Sequence, residues 1–270
     1  MRTRRLAGST LGVLAAVAFA VSGCAEGGDA GTPGAGTTSG APSPSASTGT
    51  ADPAAAEALG KATAALGNTS FKVTMTSGPG FQLTGLMDAP NGKATGELAV
   101  TGTNAEIKVK TLIIEQDLYV QIPGITKGST WTHVDVSRLP EGANVGLRPG
   151  QIDPANTADL LASSTDVQQV DPRSYRGTLD LTKAAGIAGL DQVTVDGYGA
   201  AGQNVPFTAG LDDQGRLSAL TIQLPAAANG QQAQPLEVLY TDYGTTVNAQ
   251  RPPAGQITEA PNDLYTSLGG

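Results

Sequence analysis

Phe71-Lys72-Val73-Thr74-Met75-Thr76-Ser77-Gly78-Pro79-Gly80-Phe81-Gln82-Leu83-Thr84-Gly85-Leu86-Met87 reads with a period of two. Phe71, Val73 and Met75 alternate with Lys72, Thr74 and Thr76, and the alternation resumes after the turn at Phe81, Leu83 and Met87. Successive side chains leave a strand on opposite faces, so the stretch predicts two strands, each with one apolar face, joined through Gly78-Pro79-Gly80. Downstream the same reading gives a third strand over 93–101, a fourth over 104–115 and a fifth over 118–122. In the fourth, Ile107, Val109 and Ile113 oppose Glu106, Lys108 and Lys110, which makes one face apolar and the other wet. Consecutive strands with short connections predict an antiparallel meander.

Upstream of the meander the period changes. Asp52-Pro53 is an N-cap followed by Pro at the first helical position, and 54–66 is rich in helix formers. Ala55, Leu59, Ala62 and Leu66 recur at the helical spacing before Gly67-Asn68 stops the helix. Beyond the meander, Trp131 to Val134 reads as a short strand and 138–151 as a Pro- and Gly-rich loop. Asp153-Pro154 repeats the cap signal and opens a helix to about Ser163 that carries Leu160 and Leu161. A strand pair over 167–181, a short helical stretch over 182–190, a hairpin over 205–224 turning at Asp212-Asp213-Gln214-Gly215, and a last strand over 236–247 follow. The Pro-rich tail is expected to be irregular. The fold class is therefore α+β, with the folded region spanning 52–270.

The first 51 residues are of another kind. Arg2, Arg4 and Arg5 precede an apolar run from Leu6 to Ala20, the length and charge of a signal peptide over 1–23. The run is shorter than the roughly 20 apolar residues that span a bilayer, and Gly8, Ser9 and Thr10 interrupt it. Val21-Ser22-Gly23-Cys24 follows and resembles the bacterial lipobox, in which the Cys thiol takes a diacylglycerol and the signal is cut just before it. Cys24 is the one cysteine of the chain. Two or more acyl chains give stable membrane anchoring where one is marginal. Residues 25–52 hold only Gly, Ala, Ser, Thr, Pro, Asp and Glu, too little apolar area to offset ordering entropy, so 24–51 is read as a lipidated tether. Its root-mean-square span as a flexible coil is about 30 Å. The expected location is the extracytoplasmic face of the cell membrane.

Composition removes several chemistries. One Cys and one His leave neither a disulfide framework nor a Cys- or His-rich metal site, and 16 basic against 24 acidic residues give no footprint for nucleic acid. Losing the leader removes three Arg and no acid, so the acyl anchor, not charge, must hold the domain at an anionic leaflet. Nucleophilic catalysis through a histidine would have to pass through His133, and no Gly-x-Ser-x-Gly elbow accompanies it. His133 is therefore read as a packing or surface residue, and the acidic turn at 212–215 as a hairpin rather than a cation loop. No enzyme, metal or cofactor is expected.

The order of these features resembles the actinobacterial cell-envelope lipoproteins of the LppX/LprG type. The local matches are Trp131, Asp153-Pro154 with Asp159-Leu160-Leu161 and the following Val170, Tyr175-Arg176-Gly177-Thr178-Leu179-Asp180-Leu181, the hairpin from Pro206 to Leu224, and Tyr243-Gly244 ahead of Pro252-Pro253. Together they cover about 52–255. The resemblance implies a curved antiparallel sheet, a half-barrel similar to the LolA and LolB carriers, with helices packed on its concave face around an apolar cavity for acylated lipid. The candidate cavity residues are Val73, Met75, Leu83, Met87, Leu98, Ile107, Val109, Val120, Leu160, Leu161, Leu220 and Ile222. The implied function is non-catalytic binding and transport of acylated lipid or glycolipid, with a membrane lipid transporter as a further partner. A structural or partner-binding envelope module with a filled core is the alternative, because a residue facing a cavity and one facing a core have the same apolar character.

Overall fold

The computed structural model describes residues 52–102, 106–122, 130–139, 147–148, 151–153, 157–183, 192–226, 233–263 and 265. Residues 1–51, read above as a signal peptide, a lipidated Cys24 and a tether, lie outside them.

The chain opens with helix α1 (Pro53–Ala64), in which Asp52 accepts a hydrogen bond from the Ala54 N–H at 2.9 Å and Pro53 occupies the first turn. A 3-10 turn, Ala65–Gly67, ends it. Six strands follow: β1 (Ser70–Ser77), β2 (Phe81–Asp88), β3 (Lys93–Thr101), β4 (Glu106–Ile114), β5 (Asp117–Gln121) and β6 (Trp131–Asp135). The stretch read as loop carries a small ribbon, β7 (Leu147–Arg148) with β8 (Gln151–Ile152). Helix α2 (Thr157–Ala162), β9 (Ser164–Asp171) and β10 (Ser174–Leu179) come next, then helix α3 (Gln192–Gly197), the hairpin β11 (Val205–Leu211) and β12 (Leu217–Ile222), β13 (Leu236–Thr241) and β14 (Ile257–Glu259).

Twelve of these strands form one sheet in the order β14-β6-β5-β4-β3-β2-β1-β13-β12-β11-β10-β9. Two antiparallel meanders, β1 to β6 and β9 to β13, join where β1 pairs with β13. The sheet is not closed, and β9 and β14 are its two ends. The hairpin turn falls where the sequence places it. Asp212 Oδ1 accepts from the backbone N–H groups of Gln214 and Arg216, both at 2.9 Å, and Gly215 takes φ +74°. The Asx-type turn uses that side-chain acceptor, and the positive φ suits glycine, as the hairpin reading expects.

Three expectations change. The last long strand ends at Thr241, and the tail is not irregular throughout: β14 pairs with β6. Among the described strands this is the parallel pairing; it joins Glu259 to His133 across 126 residues and has no local sequence signal. The helix after the second meander begins is α3 at 192–197, whereas most of the expected 182–190 stretch lies outside the described residues. In the described α2, Asp153 still serves as a cap, accepting from the Thr157 N–H at 2.6 Å.

Packing follows from the periods. The α1 residues Ala55, Leu59 and Ala62 and the following Leu66 are buried in one cluster with Phe71, Val73 and Met75 of β1 and Leu160 and Leu161 of α2. Helix α1 touches α2, β9 and β12. No helix among the described residues is long and apolar enough to cross a membrane.

Candidate functional site

The strand registers place one side chain beside the next across the sheet. Val109 of β4 pairs with Leu98 of β3, Leu98 with Leu83 of β2, and Leu83 with Met75 of β1. The same row continues from Met75 through Val238 and Leu220 to Ala209 and Tyr175 on β10. One residue pair toward one end, Ile107, Val100 and Phe81 stand side by side; toward the other end, Val134, Leu118, Ile113, Ala94, Met87 and Phe71 do so. Val73, Val120 and Ile222 belong to the same face by register. All ten of the sheet-borne candidate residues therefore share one apolar face, while Lys72, Lys108 and Lys110 share the other.

Burial divides that face. Val73, Met75, Met87, Leu220 and Ile222 are buried, as are Leu160 and Leu161 beneath α2, so they fill a protein core. At the opposite corner, over β2 to β5, Phe81, Leu83, Leu98, Val100, Val109 and Val120 are only half-buried, and Ile107 is 50 % exposed. The buried residues of α1 and α2 belong to the same core cluster as Val73, Met75, Leu220 and Ile222, and the contacts of α1 reach α2, β9 and β12. A contiguous, partly exposed apolar patch on a sheet is unfavourable in water and marks a binding surface more often than isolated exposed residues do.

Two tyrosine hydroxyls beside the core have hydrogen-bond partners. The Tyr240 hydroxyl, on the apolar face, is hydrogen-bonded to the Thr157 hydroxyl of α2; burial holds this phenol well above the usual tyrosine range. Tyr243 donates to the Leu217 carbonyl and lies under the Arg216 guanidinium at 4.3 Å.

On the opposite face lies a cluster that sequence reading passed over. His133, 9 % exposed, is stacked on Tyr119 with ring centroids 5.0 Å apart. Its Nε2 is 2.7 Å from Asp117 Oδ1 and its Nδ1 is 2.7 Å from Glu259 Oε2. Burial disfavours the charged ring, but the hydrogen bonds to Glu259 and Asp117 and their charges outweigh it, so the His133 pKa is raised above its ordinary value of 6.5. Burial likewise raises Tyr119, whose hydroxyl sits beside Asp117 without a hydrogen bond of good geometry. The only signal available beforehand was that His133 is the single histidine; its acids come from β5 and from the tail.

No group of three His, Cys, Asp or Glu side chains among the described residues is arranged to hold a metal ion. Cys24 lies outside the described residues. No protein-family model matches the chain, and no curated protein is significantly similar to it.

Proposed function

We propose that this chain is a membrane-tethered lipid carrier that shelters the acyl chains of a lipid or glycolipid against the open corner of its apolar face and moves them within the cell envelope without chemical change. The carrying observation is the half-buried patch of Phe81, Leu83, Leu98, Val100, Ile107, Val109 and Val120. Each CH₂ group moved from water onto this patch contributes about 0.8 kcal/mol, so an acyl chain is a favourable cover for the corner. The lipobox at Val21 to Cys24 supports the location: an acyl anchor on Cys24 and a tether of about 30 Å span keep the corner within reach of the extracytoplasmic leaflet. The resemblance to the LppX/LprG type supports the finer architecture, a LolA-like half-barrel with α1 and α2 on its concave side and the open corner as the cavity mouth. A membrane lipid transporter is the partner that would load or unload it.

The filled half of the same face favours a second reading, an envelope module that binds a protein partner and carries no lipid. Mass spectrometry of an organic extract of the purified, unlipidated protein separates the two. The carrier reading expects co-purified acylated lipid in stoichiometric amount. A protein that is folded, monodisperse and free of lipid after expression in a lipid-rich host would sink it.

A further inference from the structure

After β13 the chain crosses the opposite face of the sheet. The Ser70 hydroxyl of β1 donates to the Thr245 carbonyl at 2.6 Å, Val247 and Pro252 are buried, and Arg251 reaches over the Tyr119 ring of β5 at 6.0 Å. The segment then lays β14 alongside β6, with Ile257 opposite Trp131, Thr258 opposite Thr132, and Glu259 opposite His133; the Ala260 N–H donates to the His133 carbonyl at 2.8 Å. A three-residue parallel pairing is a weak ladder by itself. His133 reinforces it by joining Asp117 on β5 to Glu259 on β14.

A carboxylate only accepts hydrogen bonds, and a neutral imidazole has only one N–H. With a carboxylate oxygen 2.7 Å from each ring nitrogen, the arrangement is complete only when His133 is the doubly protonated imidazolium. We infer that the stretch from Ile257 to Ala260 is a pH-sensitive latch, closed on the β6 edge by the His133 imidazolium and loosened when the ring gives up its proton. Glu259 is the partner that leaves: its side chain is 70 % exposed, against 38 % for Asp117 and 11 % for His133, so water replaces its hydrogen bond at little cost. The other groups facing the site are Tyr119 stacked on the ring, Arg251 beyond it, and Asp135 next along β6. Farther on, Asp135 N–H donates to the Tyr265 hydroxyl at 2.9 Å, and Arg138 covers the Tyr265 ring at 4.0 Å; this second hold contains no histidine and confines the loosening to the stretch around 257–260.

The sign follows from the raised pKa. Below the ordinary histidine value the ring is charged in both latched and unlatched forms, and the latch has its full stabilisation. That stabilisation is lost as pH rises through the latched value. The inference is independent of what the open corner holds.

His133 is the single histidine of the chain, so one ring resonance in a nuclear magnetic resonance titration of the full chain reads it alone. Amide hydrogen exchange at Ala260, corrected for intrinsic rate, is followed over the same pH range. The protection of Ala260 is expected to fall as the ring titrates, while amides of β1 to β3 stay protected. Glu259→Gln is expected to lower the ring's midpoint and flatten the pH profile of Ala260. The fall in protection should be tenfold for each unit by which the parent midpoint exceeds that of the variant. Protection at Ala260 that stays constant through the ring's titration would overturn the latch, as would an unchanged midpoint in Glu259→Gln.

Discussion

Val109 and Lys108 are neighbours in β4 with opposite surroundings, and they test the open corner most directly. Val109 stands on the apolar face beside Leu98 and is half-buried; Lys108 is exposed on the other face, 3.4 Å from Glu106. Val109→Trp is expected to occupy space that acyl chains would fill, reducing extracted lipid while leaving the denaturant midpoint nearly unchanged, and Lys108→Trp is expected to change neither. In a packed core the same Trp would overpack and cost about 1–3 kcal/mol, so a strongly destabilised Val109→Trp favours the filled module. The two halves of the face should also differ on truncation. Leu220→Ala, at a site with 0 % exposure, should cost about 2–5 kcal/mol, whereas Ile107→Ala should stay within about 0.5 kcal/mol. Urea melts of both variants compare them, and a comparable loss at Ile107 would mean that the corner is packed after all.

At the scale of elements, Gly85 of β2 and Gly96 of β3 pair directly on the apolar face. A Cβ at Gly85 would lie 2.8 Å from the Thr95 carbonyl oxygen and 2.5 Å from Met87 Cε, and one at Gly96 would lie 2.7 Å from Thr111 Oγ1. Met87 can swing aside, but a backbone oxygen cannot. At Gly85 the β3 backbone lies too close for a Cβ, which is what glycine inside a strand commonly marks, while at Gly96 the nearest group is a β4 side chain. Gly85→Val should therefore lower stability by about 1–3 kcal/mol in a denaturant melt; an unchanged midpoint would show that the strands part easily at this point. Helix α1 depends on its cap in a similar way. Asp52→Ala removes the acceptor for the Ala54 N–H and should cost about 0.5–2 kcal/mol, read in the same melt.

For the whole molecule, the proposal separates holding from carrying: an acyl anchor on Cys24 keeps the chain at the membrane, and the sheet does the rest. Cys24→Ala should release the protein from the membrane fraction or leave it as uncleaved precursor, as fractionation and the mass of the product would show. Mature, membrane-bound Cys24→Ala protein would be incompatible with the anchor. Because the one thiol precedes the domain, the thermal midpoint of the domain should be indifferent to chelator and to reductant. A clear drop with either would point to a metal or disulfide contact.

The sheet was legible from residues alone because its signal is local. Alternation in 71–87 and 106–113 assigns those side chains to a face, and a turn such as Asp212 to Gly215 is written in consecutive residues; those assignments hold in the registers of β1 to β4, including Ile107, Val109 and Ile113 against Lys108. The cap at Asp52 was legible for the same reason. What the sequence could not supply is which apolar residues are covered. Met75 and Leu83 have the same character and stand side by side, yet Met75 is buried in the core cluster that includes the α1 residues and Leu83, packed against that cluster, is only half-buried, because cover comes from elements distant in sequence. His133 was equally opaque. Its charge state depends on Asp117, 16 residues away, and on Glu259, 126 residues away, and an ion pair between such distant residues exists only once β14 has found the edge of β6.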